Sequence, residues 1–169
     1  PVARILEGPV PAWKIFGNPG TGNGAAGKSY GLPRLANPSF TARFPFGRIK
    51  FADRALPVGV QIEGWSPFIP GDADNSSLPA AALEYRFTNN GGADAECVFS
   101  FNARNFIAAG KDSHGIRAVP GGFVLWEEGS ADKPADKTAF SFTVSDDQAK
   151  VNCVWFRGGW WEPLTMAWN

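Results

Sequence analysis

Residues 65–90 read WSPFIPGDADNSSLPAAALEYRFTNN, from Trp65 to Asn90. The run Ala81–Thr88 decides the fold. Leu83, Tyr85 and Phe87 fall on one side and Glu84 and Arg86 on the other, the period of two that a half-buried strand needs. Asn89-Asn90-Gly91-Gly92 closes it with a strong turn signal. Before the run, the prolines of Trp65-Ser66-Pro67-Phe68-Ile69-Pro70 lock an aromatic segment. A polar tip follows, Gly71-Asp72-Ala73-Asp74-Asn75-Ser76-Ser77, which reads first as a solvated turn.

Working outward, the same alternation recurs. Phe44 and Phe46 share one parity and Ile49 and Phe51 the other, so a turn or bulge is expected near Gly47. Val58, Val60 and Ile62 alternate with Gly59, Gln61 and Glu63. Ala95–Phe101, Phe123–Glu127, Thr138–Val144 and Lys150–Arg157 are further strand-like runs, and Ala12–Phe16 is a short one. Residues 102–114 follow no clean period. The 169 residues include 20 Gly, 14 Pro, 14 Phe and 7 Trp. Such frequent turns between aromatic and β-branched runs predict an all-β protein. The expected architecture is an antiparallel β-sandwich with little or no helix. It forms one domain over 1–169, with an irregular lead-in at 1–39, strands over 40–157 and an aromatic segment at 158–169.

The formal net charge is zero, so there is no electrostatic footprint for nucleic acid or an anionic membrane. No apolar run approaches the ~20 residues needed to cross a bilayer. The chain opens on Pro1 without a signal-peptide pattern, and nothing in it assigns a compartment.

Several chemical motifs dissolve on inspection. Gly22-Asn23-Gly24-Ala25-Ala26-Gly27-Lys28-Ser29 fits the P-loop pattern, but Tyr30-Gly31-Leu32-Pro33 cannot begin the helix that faces the phosphates. The preferred reading is a flexible Gly-rich loop. Asp112-Ser113-His114 holds triad residue types that, as neighbours, cannot face one another. Asp72–Ser76 begins like a calcium loop, yet Ser77 and Leu83 stand where an EF-hand needs Gly and Glu; a cruder calcium site stays open. Cys97 and Cys153 read as buried thiols on strand faces, with a single bridge as the alternative. Asp72, Asp74, Glu127 and Glu162 are the acids near aromatic text, and no motif ranks them. No cofactor or metal is expected.

Five stretches together resemble the N-terminal region of glycoside hydrolase family 116, the family of β-glucosidases and the non-lysosomal glucosylceramidase. They are Arg43–Gly47, Leu56–Val58, Trp65–Pro79, Phe101–Phe106 and Trp155–Trp160. The Ser-Pro-Phe-Ile-Pro block at 66–70, with Asp72, Ser76, Leu78 and Pro79, is the most specific. The resemblance implies an N-terminal β-sandwich followed by an (α/α)6 barrel. In that family a Glu nucleophile and an Asp acid/base of the barrel hydrolyse β-glycosides with retention. No residue here corresponds to either, so the resemblance carries no catalytic residue over to this chain. The expected role is to support its own C-terminal catalytic barrel, as part of a longer chain, and to wall the substrate cleft. A free-standing carbohydrate-binding module is the alternative, and a β-glycoside or glycan is the small-molecule partner of either. The candidate cleft or interdomain residues are Asp72, Asp74, Asn75, Arg157, Trp160 and Trp161. If the aromatic segment at 158–169 packs on the barrel, Trp160→Ala in the whole enzyme lowers the melting temperature more than kcat; the reverse result places Trp160 in the active site.

Overall fold

The computed structural model describes residues 2–12, 33–108, 113–146 and 148–153. Seven strands lie among them: β1 Pro38–Arg43, β2 Phe46–Phe51, β3 Val58–Trp65, β4 Ala82–Asn89, β5 His114–Val119, β6 Gly122–Glu127 and β7 Thr138–Thr143. The helical elements that lie wholly among the described residues are the single turn α1, Ala73–Ser76, and a 3-10 turn at Pro134–Asp136. The strands form a four-stranded sheet in the order β1-β2-β3-β4 and a three-stranded sheet in the order β5-β6-β7. Every pairing is antiparallel. The all-β, antiparallel expectation with little helix is met. The chain divides into two compact units, Pro1–Cys97 and Val98–Asn169.

In the first unit, pairing sets Ile49 against Ile62 and Phe51 against Val60, with Tyr85 and Phe87 next in the same rows. The opposite face carries Arg48, Glu63, Glu84 and Arg86, and Arg48 forms an ion pair with its cross-strand partner Glu63. Leu35, Phe51 and Val60 are buried, with Leu6, Ile49, Leu56 and Ile62 packed against them. Each such side chain taken from water contributes roughly 1.5–3 kcal/mol. The N-terminal segment helps to close this core. The Ile5 amide donates to the Pro33 carbonyl (2.9 Å) and the Leu35 amide to the Glu7 carbonyl (3.1 Å), and Arg4 reaches Asp53 at 3.3 Å.

The β1–β2 connection is the two-residue turn Phe44-Pro45, whose peptide bond is cis. The turn therefore falls just before Gly47, which lies inside β2 opposite Gly64.

In the second unit, β6 is central and Leu125 is fully buried. Phe123, Phe140 and Phe142 share one face, and Phe101 and Phe106 pack on it. Ring centroids are 4.7 Å apart for Phe101–Phe142 and 5.3 Å for Phe106–Phe140. The Asn105 side-chain amide donates to the carbonyls of Gly115 (3.1 Å) and Trp126 (3.0 Å), pinning this segment to β5 and β6. Strand β5 lies outside the strand-like runs read from the sequence, and Gly115 leaves a gap in its side-chain alternation. It exists because β6 supplies the partner: Trp126 lies over Gly115, where an added Cβ would sit 3.0 Å from the indole. Pro120 and Gly121 (φ 67°) make the tight turn into β6, with Gly in the position that demands positive φ.

Two expectations fail. No strand occupies 95–101 among the described residues, and Cys97 is exposed rather than buried. Alternation alone does not bury a segment; a partner strand must pair with it, and none is assigned there. Cys97 and Cys153 are both free. For the Lys150–Arg157 run, 150–153 carries no strand and 154–157 lies outside the described residues.

Gly122 has no room for a side chain, since a Cβ there would approach the Phe142 carbonyl oxygen to 1.9 Å. Gly122→Ala is expected to cost about 1–3 kcal/mol in a denaturant melt. Gly92→Ala, with nothing within 4 Å of the new methyl, stays within about 0.5 kcal/mol.

Candidate functional site

The loop joining β3 to β4 carries the distinctive motif, and its backbone is held by its own polar side chains. Pro70 and Gly71 (φ 83°) turn the chain, and the Asp72 amide closes the turn on the Ile69 carbonyl at 3.0 Å. Asp72 then caps α1, its Oδ1 accepting from the Asn75 amide at 3.0 Å while Oδ2 accepts from the Asn75 side chain. The Ser76 hydroxyl accepts from the Ile69 amide (2.9 Å) and donates to the Ile69 carbonyl (3.1 Å). The Asn75 amide and side chain hold the Asp72 carboxyl below the usual carboxylate range. This is N-cap chemistry, in which a side-chain oxygen satisfies an orphan amide of the first helical turn.

Of the sequence-predicted candidates, Asp72 and Asn75 thus meet each other in a cap. Asp74 sits exposed on α1, and its carbonyl accepts from the Ser77 hydroxyl at 3.1 Å. Arg157, Trp160 and Trp161 lie outside the described residues, as do Glu162, Asp112 and the P-loop-like stretch. His114 opens β5 directly opposite Glu127, which is 4% exposed. Among the described residues no three His, Cys, Asp or Glu side chains converge as a metal ion requires.

The hydrogen-bonded loop presents apolar groups outward. Phe68 and Ile69 are about half exposed, as is Leu78 further along the loop. Phe68 meets Phe44, 77% exposed, edge-on at 4.7 Å. Phe46 and Trp65 are cross-strand partners with ring centroids 6.1 Å apart. Register places Phe44, Phe46, Trp65 and the 66–81 loop at one end of the four-stranded sheet. Sequence reasoning picked out the polar tip and missed this apolar end. The signal was Phe44-Pro45-Phe46, an aromatic pair around a turn.

The described residues thus define an antiparallel all-β protein whose longest motif is a self-capped turn displaying apolar side chains. Residues 2–156 match the family described as beta-glucosidase 2, glycosyl-hydrolase family 116 N-term, and the chain belongs to that family. No curated protein matches the chain.

The Asp72 cap has a pH signature. A carboxylate with a depressed folded pKa contributes stability that is present above its unfolded pKa and is lost as pH falls through the folded value. Slow exchange of the Asn75 amide, followed by NMR, is expected to hold above about pH 4, near the ordinary Asp pKa, and to fade below it. Asp72→Ala should abolish that protection at neutral pH, and unchanged exchange would mean the cap is idle.

Proposed function

We propose that this chain is the N-terminal accessory domain of a β-glycosidase and seats against the enzyme's C-terminal catalytic barrel through the apolar end of its four-stranded sheet. The observation that carries the reading is the exposed aromatic group of Phe44, Phe46 and Phe68 beside Ile69, held by a loop whose polar groups bond inward. A folded protein seldom leaves a fixed apolar patch facing water, and such patches mark interaction sites. The same residues, Arg43–Gly47 and Trp65–Pro79, carry the family resemblance, which fits a surface tied to the family's common architecture. In this reading the barrel holds the Glu and Asp that hydrolyse β-glucosides with retention. The present domain stabilises the barrel and walls one side of the cleft, with Asp72, Asp74 and Asn75 shaping the docking turn. Arg157, Trp160 and Trp161 stay interdomain candidates of this reading, with the aromatic segment at 158–169 docking on the barrel or leading into it.

The test uses the full-length protein. It is expected to hydrolyse aryl β-glucosides, with the first-formed sugar a β-anomer by NMR. Phe44→Ser with Phe68→Ser should destabilise it by up to about 2 kcal/mol per side chain buried at the interface, while kcat on a small aryl glucoside stays near wild type. Absence of hydrolysis removes the enzymatic reading, and an unchanged melting temperature in the double variant removes the docking surface.

A further inference from the structure

The other end of the four-stranded sheet carries a concave feature. The start of β1, the end of β2, the start of β3 and the end of β4 meet there around a cleft of about 430 Å³, within the ~300–1,000 Å³ of small-molecule sites. Its apolar side is formed by Leu56 and Val58 above buried Phe51, and its polar side by Asn37, Asp53, Arg54 and Asn90. Most of this rim is held in place. Asn37, at φ 45°, donates its side-chain amide to the Ala52 carbonyl at 3.0 Å. The Asp53 carboxylate accepts from the Ala55 amide (2.9 Å) and from Arg4 (3.3 Å), and the Asn90 amide donates to the Pro57 carbonyl at 2.7 Å. Two groups remain uncommitted among the described residues: the Arg54 guanidinium and the Asn90 side-chain amide. Gly59 makes room for the latter, since a Cβ there would lie 2.9 Å from Asn90 Nδ2.

We infer that this cleft is a binding site for a neutral polyhydroxylated ligand, a sugar ring or the end of a glycan. The chemistry of the rim selects that class. Carboxamides both donate and accept, as hydroxyl groups do. Arg54 adds donors and Asp53 an acceptor, so an anion meets the Asp53 charge and a cation meets Arg54 and Arg4. Leu56 and Val58 suit the C–H face of a ring. The six residues of β2 at ~3.3 Å each put the cleft about 20 Å from the Phe44–Phe68 end. The cleft shares no lining residue with that end, and the inference stands apart from the docking reading.

Hydrogen exchange of the full-length protein, read on peptides covering 50–60 and 88–92, tests it with cellotetraose and xylotriose as neutral probes and glucuronate as the charged one. The neutral probes are expected to slow exchange in both peptides, and Arg54→Ala or Asn90→Ala to remove the effect. Both side chains are exposed, and an unchanged melting curve for either variant shows that it folds. No slowing by any probe overturns the site. Slowing by glucuronate alone overturns the ligand class, and slowing that persists in both variants overturns the residue assignment. Failure of the docking reading would appear in the Phe44 and Phe68 variants and leave these two peptides unaffected.

Discussion

The register of β2 against β3 is the constraint on which the first unit depends. Pairing Ile49 with Ile62 and Phe51 with Val60 puts four apolar side chains in two rows on one face. Because side chains alternate, a slip of β2 by one residue would send Ile49 and Phe51 to the charged face and bring Arg48 under Leu35. That penalty exceeds anything the Arg48–Glu63 ion pair offers in return, since exposed pairs contribute roughly 0–1 kcal/mol. Leu35 and Leu6 then have a surface to cover, and the N-terminal segment is drawn alongside by two backbone hydrogen bonds. The cleft at one end of the sheet and the apolar group at the other both follow from where this register stops.

The loop between β3 and β4 shows how a motif that looks chemical serves a mechanical purpose. Asp72, Asn75 and Ser76 are the residue types of a metal or sugar site, yet each is bonded to the loop's own backbone or to its neighbour. What leaves the loop is apolar. Prolines at 67, 70 and 79 restrict the backbone, and the cap removes the freedom of the tip. Phe68 and Ile69 are thereby presented with less conformational entropy to lose when a partner covers them.

The second unit makes the same point with the Phe101–Phe106 segment. Asn105 clamps two strand carbonyls, and Phe101 and Phe106 complete an aromatic cluster with Phe140 and Phe142. The Asn105 side-chain oxygen is buried without a partner among the described residues. A buried orphan acceptor costs stability, and the two carbonyls satisfied by its amide offset that cost.

Strands β2, β3, β4, β6 and β7 were legible from residue order alone, because alternation is a local property and each run carries it. So was the lack of long helix among the described residues, since Gly and Pro recur too often for one to form. Tertiary structure decided the rest. Strand β5 forms around Gly115 because Trp126 covers it, whereas 95–101 alternates well and carries no strand among the described residues. The Asp72 carboxylate is a cap because Asn75 folds back onto it, and Asn90 joins Asn37 and Arg54 at one cleft because β1 to β4 align their ends. Pairing partners and loop closure join residues far apart in the chain, and neither periodicity nor motif spacing encodes which distant groups will meet.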